Sequence, residues 1–154
     1  MIVALENIRS LGNVGAIMRS CEFFGIKAVW LAGYTGRELA EANTLHHKLA
    51  KTALGAEKNL TIKFIKNSLQ LIKLCQKLRL SLIAVEQHPQ SIPLQNWQPL
   101  KNSVLVFGSE TGGVSGRVLA AAAQIVEIPR RGRKNSLNVA TCAGIILNHA
   151  VCHL

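Results

Sequence analysis

Short apolar runs alternate with stretches of helical period along this 154-residue chain, and that alternation constrains its fold more than any other feature. The strand candidates are Ile2 to Leu5, Lys27 to Ala32, Leu60 to Ile65, Leu80 to Val85, Val104 to Phe107 and Gln124 to Ile128. Asn13 reads as the N-cap of a helix reaching about Phe24 and stopped by Gly25, with Val14, Ile17, Met18, Cys21 and Phe24 at helical spacing. Residues 37–54 read as helical, with Leu39, Ala42, Leu45, Leu49 and Leu54 along one face. Ser68 to Leu78, Val118 to Ala123 and a closing Ser136 to Val151 complete the helices, and the proline-rich stretch His88 to Pro99 reads as a loop. Such β–α alternation predicts an α/β fold, a mostly parallel sheet flanked by helices on both faces. The length fits one domain spanning residues 1–154.

In an open parallel sheet, ligands bind outside the carboxyl ends of the strands. That rule brings Val85 onward, Gly108 to Gly113 and Pro129 to Asn138 to one rim. The first of these follows an apolar strand. The second is a Gly-rich turn with a single carboxylate, Glu110. The third holds Arg130, Arg131, Arg133 and Lys134 around Gly132, four cations that repel one another until an anion arrives. Ser136 reads as the cap of the closing helix, and Asn138 falls in its first turn. Near the N-terminus, Gly15 stands inside a helical pattern at a cost of up to ~1 kcal/mol relative to Ala, which a chain tolerates where something approaches closely. Arg19 follows one turn later on the same face, where its plain structural role is a surface salt bridge to Glu22 or Glu6.

Charge narrows the partners. The formal net charge is +10, and every acidic residue is Glu. That balance favours a polyanion, nucleic acid before an anionic membrane. No Walker A loop and no G-x-G-x-x-G fingerprint occurs, which argues against a small nucleotide- or phosphate-binding enzyme. Cys21, Cys75, Cys142 and Cys152 are dispersed, and the adjacent His46 and His47 diverge on a helix. These patterns predict no metal and a reducing, cytoplasmic compartment. Met1 to Glu6 reads as a first strand rather than a signal peptide, and no apolar stretch reaches the ~18 residues of a membrane span.

Three motifs occur in order: Asn13-x-Gly15-x-x-x-Arg19, Phe107-Gly108-x-Glu110, and Ile128-Pro129 followed by Ser136-Leu137-Asn138-Val139. The set resembles the SPOUT superfamily, and within it the SpoU/TrmH-type RNA ribose 2′-O-methyltransferases, from about Glu6 to His149. The resemblance implies a C-terminal trefoil knot, which general topology rules would have excluded. It implies S-adenosylmethionine as cofactor, contacted by Val85, Gly108, Ile128, Ser136 and Leu137. It gives the catalytic position to Arg19, with Asn13, Glu110 and Asn138 as motif partners. Arg9, Arg130, Arg131, Arg133 and Lys134 are the RNA-binding candidates, and tRNA or rRNA the substrate. It also implies a homodimer whose active sites draw on both chains. The chain departs from many relatives at Arg130, where Met is common, and at Ala140, where Ser is common. A catalytically inactive RNA-binding module of the same fold is the alternative reading.

Overall fold

The computed structural model describes residues 1–35 and 47–154. The strands are β1 (Ile2–Glu6), β2 (Ala28–Ala32), β3 (Thr61–Ile65), β4 (Ser81–Val85), β5 (Ile92–Pro93), β6 (Ser103–Phe107) and β7 (Gln124–Glu127). The helices described are α1 (Leu11–Phe23), α2 (His47–Ala53), α3 (Ser68–Lys77), α4 (Gly116–Ala121) and α5 (Val139–Cys152). The seven strands form one sheet in the order β3-β2-β1-β6-β4-β7-β5, and every neighbouring pair is parallel. The predicted α/β architecture is therefore the observed one.

Period-two alternation splits the core. Val3, Leu5, Val29, Leu31, Leu105 and Phe107 face one layer with Val14, Ile17 and Met18 of α1 and Ile146 and Leu147 of α5. Ala4, Trp30, Val104 and Val106 face the other, with Leu71 and Cys75 of α3 and Val118 of α4. Strands covered on both faces in this way need near-continuous apolar sequence, as β6 has. Trp97 is fully buried beneath α5, donates Nε1–H to Gln124 Oε1 at 2.9 Å, and stacks with His149.

Several sequence expectations change. The stretch His88 to Pro99 is not only a loop: Ile92–Pro93 adds a two-residue strand at the sheet margin, where a proline without N–H is tolerated. The cap of α1 is Ser10, whose Oγ accepts the Asn13 N–H at 3.2 Å, so Asn13 lies in the first turn. The cap of α5 is Asn138 rather than Ser136, because its Oδ1 accepts two backbone N–H groups and the helix begins at Val139. Leu39, Ala42 and Leu45 of the expected helical face lie outside the described residues. Of the rest, Leu49 is buried, while Leu54 follows the helix at a φ of 51° and is 66% exposed.

Gly15 explains how α1 meets α2. A Cβ there would stand 2.7 Å from the Leu49 carbonyl and 2.9 Å from the Ala53 nitrogen, besides striking the Thr52 hydroxyl. What approaches Gly15 is thus the backbone of a neighbouring helix, not a ligand. Among the described residues, no helix is long and apolar enough to cross a membrane.

Candidate active site

Strand order puts the ends of β6, β4 and β7 side by side, and the register aligns Val85 with Phe107 and with Val126. Val85, Gly108 and Ile128 therefore share one edge, as expected from the parallel topology. Ser136 and Leu137 sit on the exposed 130–138 segment that leaves this edge for α5.

Glu110 lies across the N-terminus of α1. Its carboxylate accepts the Arg9 N–H at 3.1 Å, the Ser10 N–H at 3.1 Å and the Asn13 Nδ2–H at 2.8 Å. Free N–H groups at a helix start attract a negative charge. Partial burial pushes the Glu110 carboxyl up, but the Asn13 side chain and the backbone N–H groups of Glu110, Arg9 and Ser10 outweigh it and hold the carboxyl below its ordinary value.

The contact continues. Asn13 Oδ1 accepts the Asn138 Nδ2–H at 3.2 Å, and Asn138 Oδ1 accepts the N–H groups of Ala140 at 2.9 Å and Thr141 at 3.2 Å. Only one orientation of both amides satisfies the chain. An ionised carboxylate can only accept, so Asn13 must offer it the NH2 end. Its oxygen then faces Asn138, which must in turn offer NH2, leaving its own oxygen for α5. Three of the four predicted catalytic residues form this relay, joining segments from the start, middle and end of the chain.

Arg19 is not part of it. The residue is exposed on α1, and no hydrogen bond or ion pair holds it among the described residues. The salt-bridge reading of Arg19 fails: Glu6 is taken by Ser68 and Ser115, and Glu22 accepts from Asn59. Arg9 is likewise exposed, with only its backbone N–H engaged. Arg130 donates Nη1–H to Asn135 Oδ1 at 2.8 Å, while Arg131, Arg133 and Lys134 are exposed and unpaired among the described residues.

One carboxylate, Glu86, went unnoticed in the sequence, and a second, Glu6, was read only as a salt-bridge partner of Arg19. Glu86, just past β4, accepts the Val114 N–H at 2.8 Å and the Gln87 N–H at 3.0 Å. It lies where a Cβ on Gly113 would fall, and Gly113 has a φ of +63°. Gly108 is pressed against the backbone of Gly113 and Val114, so a side chain at either glycine would open the turn that carries Glu110. Burial pushes the Cys142 thiol up to about 11, and the charge of Glu86 adds to the rise. Glu6, fully buried at the end of β1, accepts the Ser115 N–H at 2.9 Å and hydroxyl hydrogens from Ser115 and Ser68. It fixes the starts of α3 and α4. The sequence signal for both was a Glu directly after an apolar strand. Among the described residues, no group of three His, Cys, Asp or Glu could hold a metal ion.

A sequence profile of the SpoU rRNA Methylase family matches residues 1–148. An uncharacterized tRNA/rRNA methyltransferase from Archaeoglobus fulgidus is 30% identical over 146 residues, which cover 95% of this chain and 62% of the relative. A tRNA (guanosine(18)-2′-O)-methyltransferase from Aquifex aeolicus is 27% identical over 150 residues, covering 97% of this chain and 68% of that protein. Among solved structures, an AdoMet-bound rRNA methyltransferase from Sinorhizobium meliloti superimposes with a TM-score of 0.86 at 27% identity, covering 99% of this chain and 56% of the other. The chain thus spans about three fifths of the length of the Archaeoglobus relative.

Proposed function

Because the chain belongs to the SpoU rRNA Methylase family, we propose that it transfers a methyl group from S-adenosylmethionine to a ribose 2′-hydroxyl of tRNA or rRNA. The observation that carries this reading is the relay itself: Glu110, Asn13 and Asn138 bind one another across the whole sequence. The ribose target and the cofactor follow the relatives, which include a guanosine 2′-O-methyltransferase and an AdoMet-bound enzyme.

The rim residues suit that cofactor. Ends of adjacent strands at Val85, Gly108 and Ile128 offer backbone donors and acceptors to a flat polar ring. Leu137, 49% exposed, offers apolar contact beside Ser136. Glu86 adds a negative charge at the same edge, complementary to a sulfonium cation. When bound, S-adenosylmethionine supplies an electrophilic methyl group. The protein's task is then to hold the ribose hydroxyl in line with it and to steady the developing alkoxide. A guanidinium is a poor proton acceptor, so Arg19 is assigned to gripping the adjoining phosphate and stabilising negative charge. Arg131, Arg133 and Lys134 draw the RNA backbone to the rim, with Arg130 held ready by Asn135, and Arg9 meets the RNA beside the relay.

Arg19 projects from a helix whose neighbours include exposed apolar residues: Phe23 is 79% exposed, and Ile145 and Val151 of the adjoining α5 are each 40% exposed. Other apolar residues of α5, Ile146 among them, are consumed by the chain's own core. We take the exposed remainder as a face for a second copy, so that Arg19 of one protomer serves the site of its partner. The trefoil knot, the working of the chain as one domain and a reducing, cytoplasmic setting belong to the same proposal; all four cysteines are free thiols. The test is incubation with S-adenosylmethionine and unmodified tRNA or rRNA, followed by nuclease digestion and mass spectrometry. A 2′-O-methylated nucleoside supports the reading. RNA binding without methyl transfer would instead leave the inactive RNA-binding module.

A further inference from the structure

A cavity of about 390 Å³ opens on the flank of β6 away from β4, lined by Asn7, Arg9, Tyr34 and Ser109. These residues follow the ends of β1, β2 and β6, so the cavity stands beside the relay but on the other side of β6 from Val85 and Ile128. Its volume falls at the small end of ligand pockets, the size range of a single nucleoside rather than a folded partner.

The lining has a one-sided chemistry. Asn7, at a φ of 57°, accepts the Tyr34 N–H on Oδ1 at 3.0 Å. Its Nδ2 end is therefore a spare donor. Arg9 engages Glu110 through its backbone, so its guanidinium is a second spare donor. Ser109 Oγ accepts the Gly112 N–H at 3.0 Å, which leaves its hydroxyl hydrogen free. Tyr34, the only tyrosine of the chain, is 39% exposed beside them. Among the described residues that line the cavity there is no carboxylate. An aromatic ring beside uncommitted donors matches an unstacked base that presents ring carbonyls.

We propose that this cavity takes the base of the nucleotide to be methylated, stacked on Tyr34, with a carbonyl edge turned to Asn7 and Arg9. Guanine and the pyrimidines fit that edge. Adenine, which has no ring carbonyl, does not. The proposal rests on the methyltransferase reading above.

Single-turnover transfer of labelled methyl to unmodified total tRNA and rRNA tests it, with cofactor affinity followed by calorimetry as the check on folding. Tyr34→Leu should raise the RNA concentration needed for half-maximal rate by roughly tenfold or more, the scale of losing one stacked base. Tyr34→Phe should rescue that loss, since stacking needs the ring and not the hydroxyl. Arg9→Gln should weaken RNA half-saturation with cofactor affinity retained. If Tyr34→Leu and Arg9→Gln both stay within twofold of wild type, the cavity is not the base site. A methyl group mapped to adenosine would overturn the carbonyl-edge assignment. A wild-type protein that binds no S-adenosylmethionine and transfers no methyl would overturn the underlying reading as well, an outcome distinct from active enzyme with indifferent variants.

Discussion

Asn138 donates its side-chain amide to Asn13 at 3.2 Å, although 125 residues separate them. The start of the last helix is thereby tied to the first turn of the first. Each residue has a second obligation, Asn138 to α5 and Asn13 to Glu110, so neither is easily replaced. Asn138→Ala removes the cap and should lower stability by about 1 kcal/mol in urea unfolding. Asn13→Asp sets a carboxylate against Glu110. Methyl transfer by that variant should be low at neutral pH and recover in part as the pH is lowered, when one of the pair takes a proton. A pH–rate profile parallel to wild type would show that Asn13 does not hold Glu110 in the working enzyme.

Glu110 carries a stability signature in acid. Its carboxyl is held below the ordinary value of 4.5 in the folded chain, so the unfolded chain protonates first as pH falls. The contribution is complete above about 4.5 and fades as pH drops through the lower folded value. Wild type should therefore lose its stability margin over Glu110→Gln in that acid window. Melting temperatures of the two proteins across the window provide the check.

Arg19→Ala should slow methyl transfer by roughly 10²-fold or more, the scale for losing one stabilising donor. Cofactor affinity should hardly change, because Arg19 lies on α1 and the proposed cofactor edge is built by β4, β6 and β7. Arg19→Lys should rescue only in part, since an ammonium lacks the planar fork that grips phosphate. Single-turnover kinetics at saturating cofactor and RNA read this out. A rate within threefold of wild type would remove Arg19 from the reaction.

Gly15→Ala should be destabilising by roughly 1–3 kcal/mol, the usual cost of overpacking. The obstacles include backbone atoms of α2 that cannot swing aside, at 2.7 and 2.9 Å from the added carbon. Denaturant unfolding measures it. An unchanged midpoint would mean that the two helices slide apart freely.

RNA affinity should fall steeply with salt. Replacing the three unpaired cations Arg131, Arg133 and Lys134 by Gln should flatten the slope of log K against log salt by about 2, at roughly 0.7 per phosphate on a single strand. Cofactor binding should persist. An unchanged slope would place the RNA elsewhere.

The six longer strands and most helices were legible from apolar runs and helical period, which burial follows closely except in β3, where Lys63 and Phe64 are exposed. Asn13, Glu110 and Asn138 were legible as motif residues, but their mutual contact was not, since it depends on strand order. Helix caps were misplaced because Ser and Asn cap equally well, so Ser10 competes with Asn13 and Ser136 with Asn138 on local grounds alone. β5 was missed because two residues ending in proline carry no period. Glu86 was missed, and Glu6 was read as a surface ion-pair partner of Arg19, for another reason. A carboxylate after a strand reads as the point where the chain reaches solvent, and only partners such as Ser115, 109 residues away from Glu6, turn it into a buried acceptor.

The two margins of the sheet decide how copies of this protein can meet. At one, β5 presents two residues, and Pro93 lacks the N–H that an incoming strand would need. At the other, β3 carries Lys63, whose ammonium lies 5.8 Å from the Trp30 ring and would have to be displaced or neutralised by a docking strand. Both edges thus resist continuation of the hydrogen-bonded ladder from one molecule to the next. A sheet this apolar would otherwise be a template for fibrils. With both borders capped, any association between copies would have to rest on side-chain packing rather than on a shared ladder, a contact that can be tuned one residue at a time.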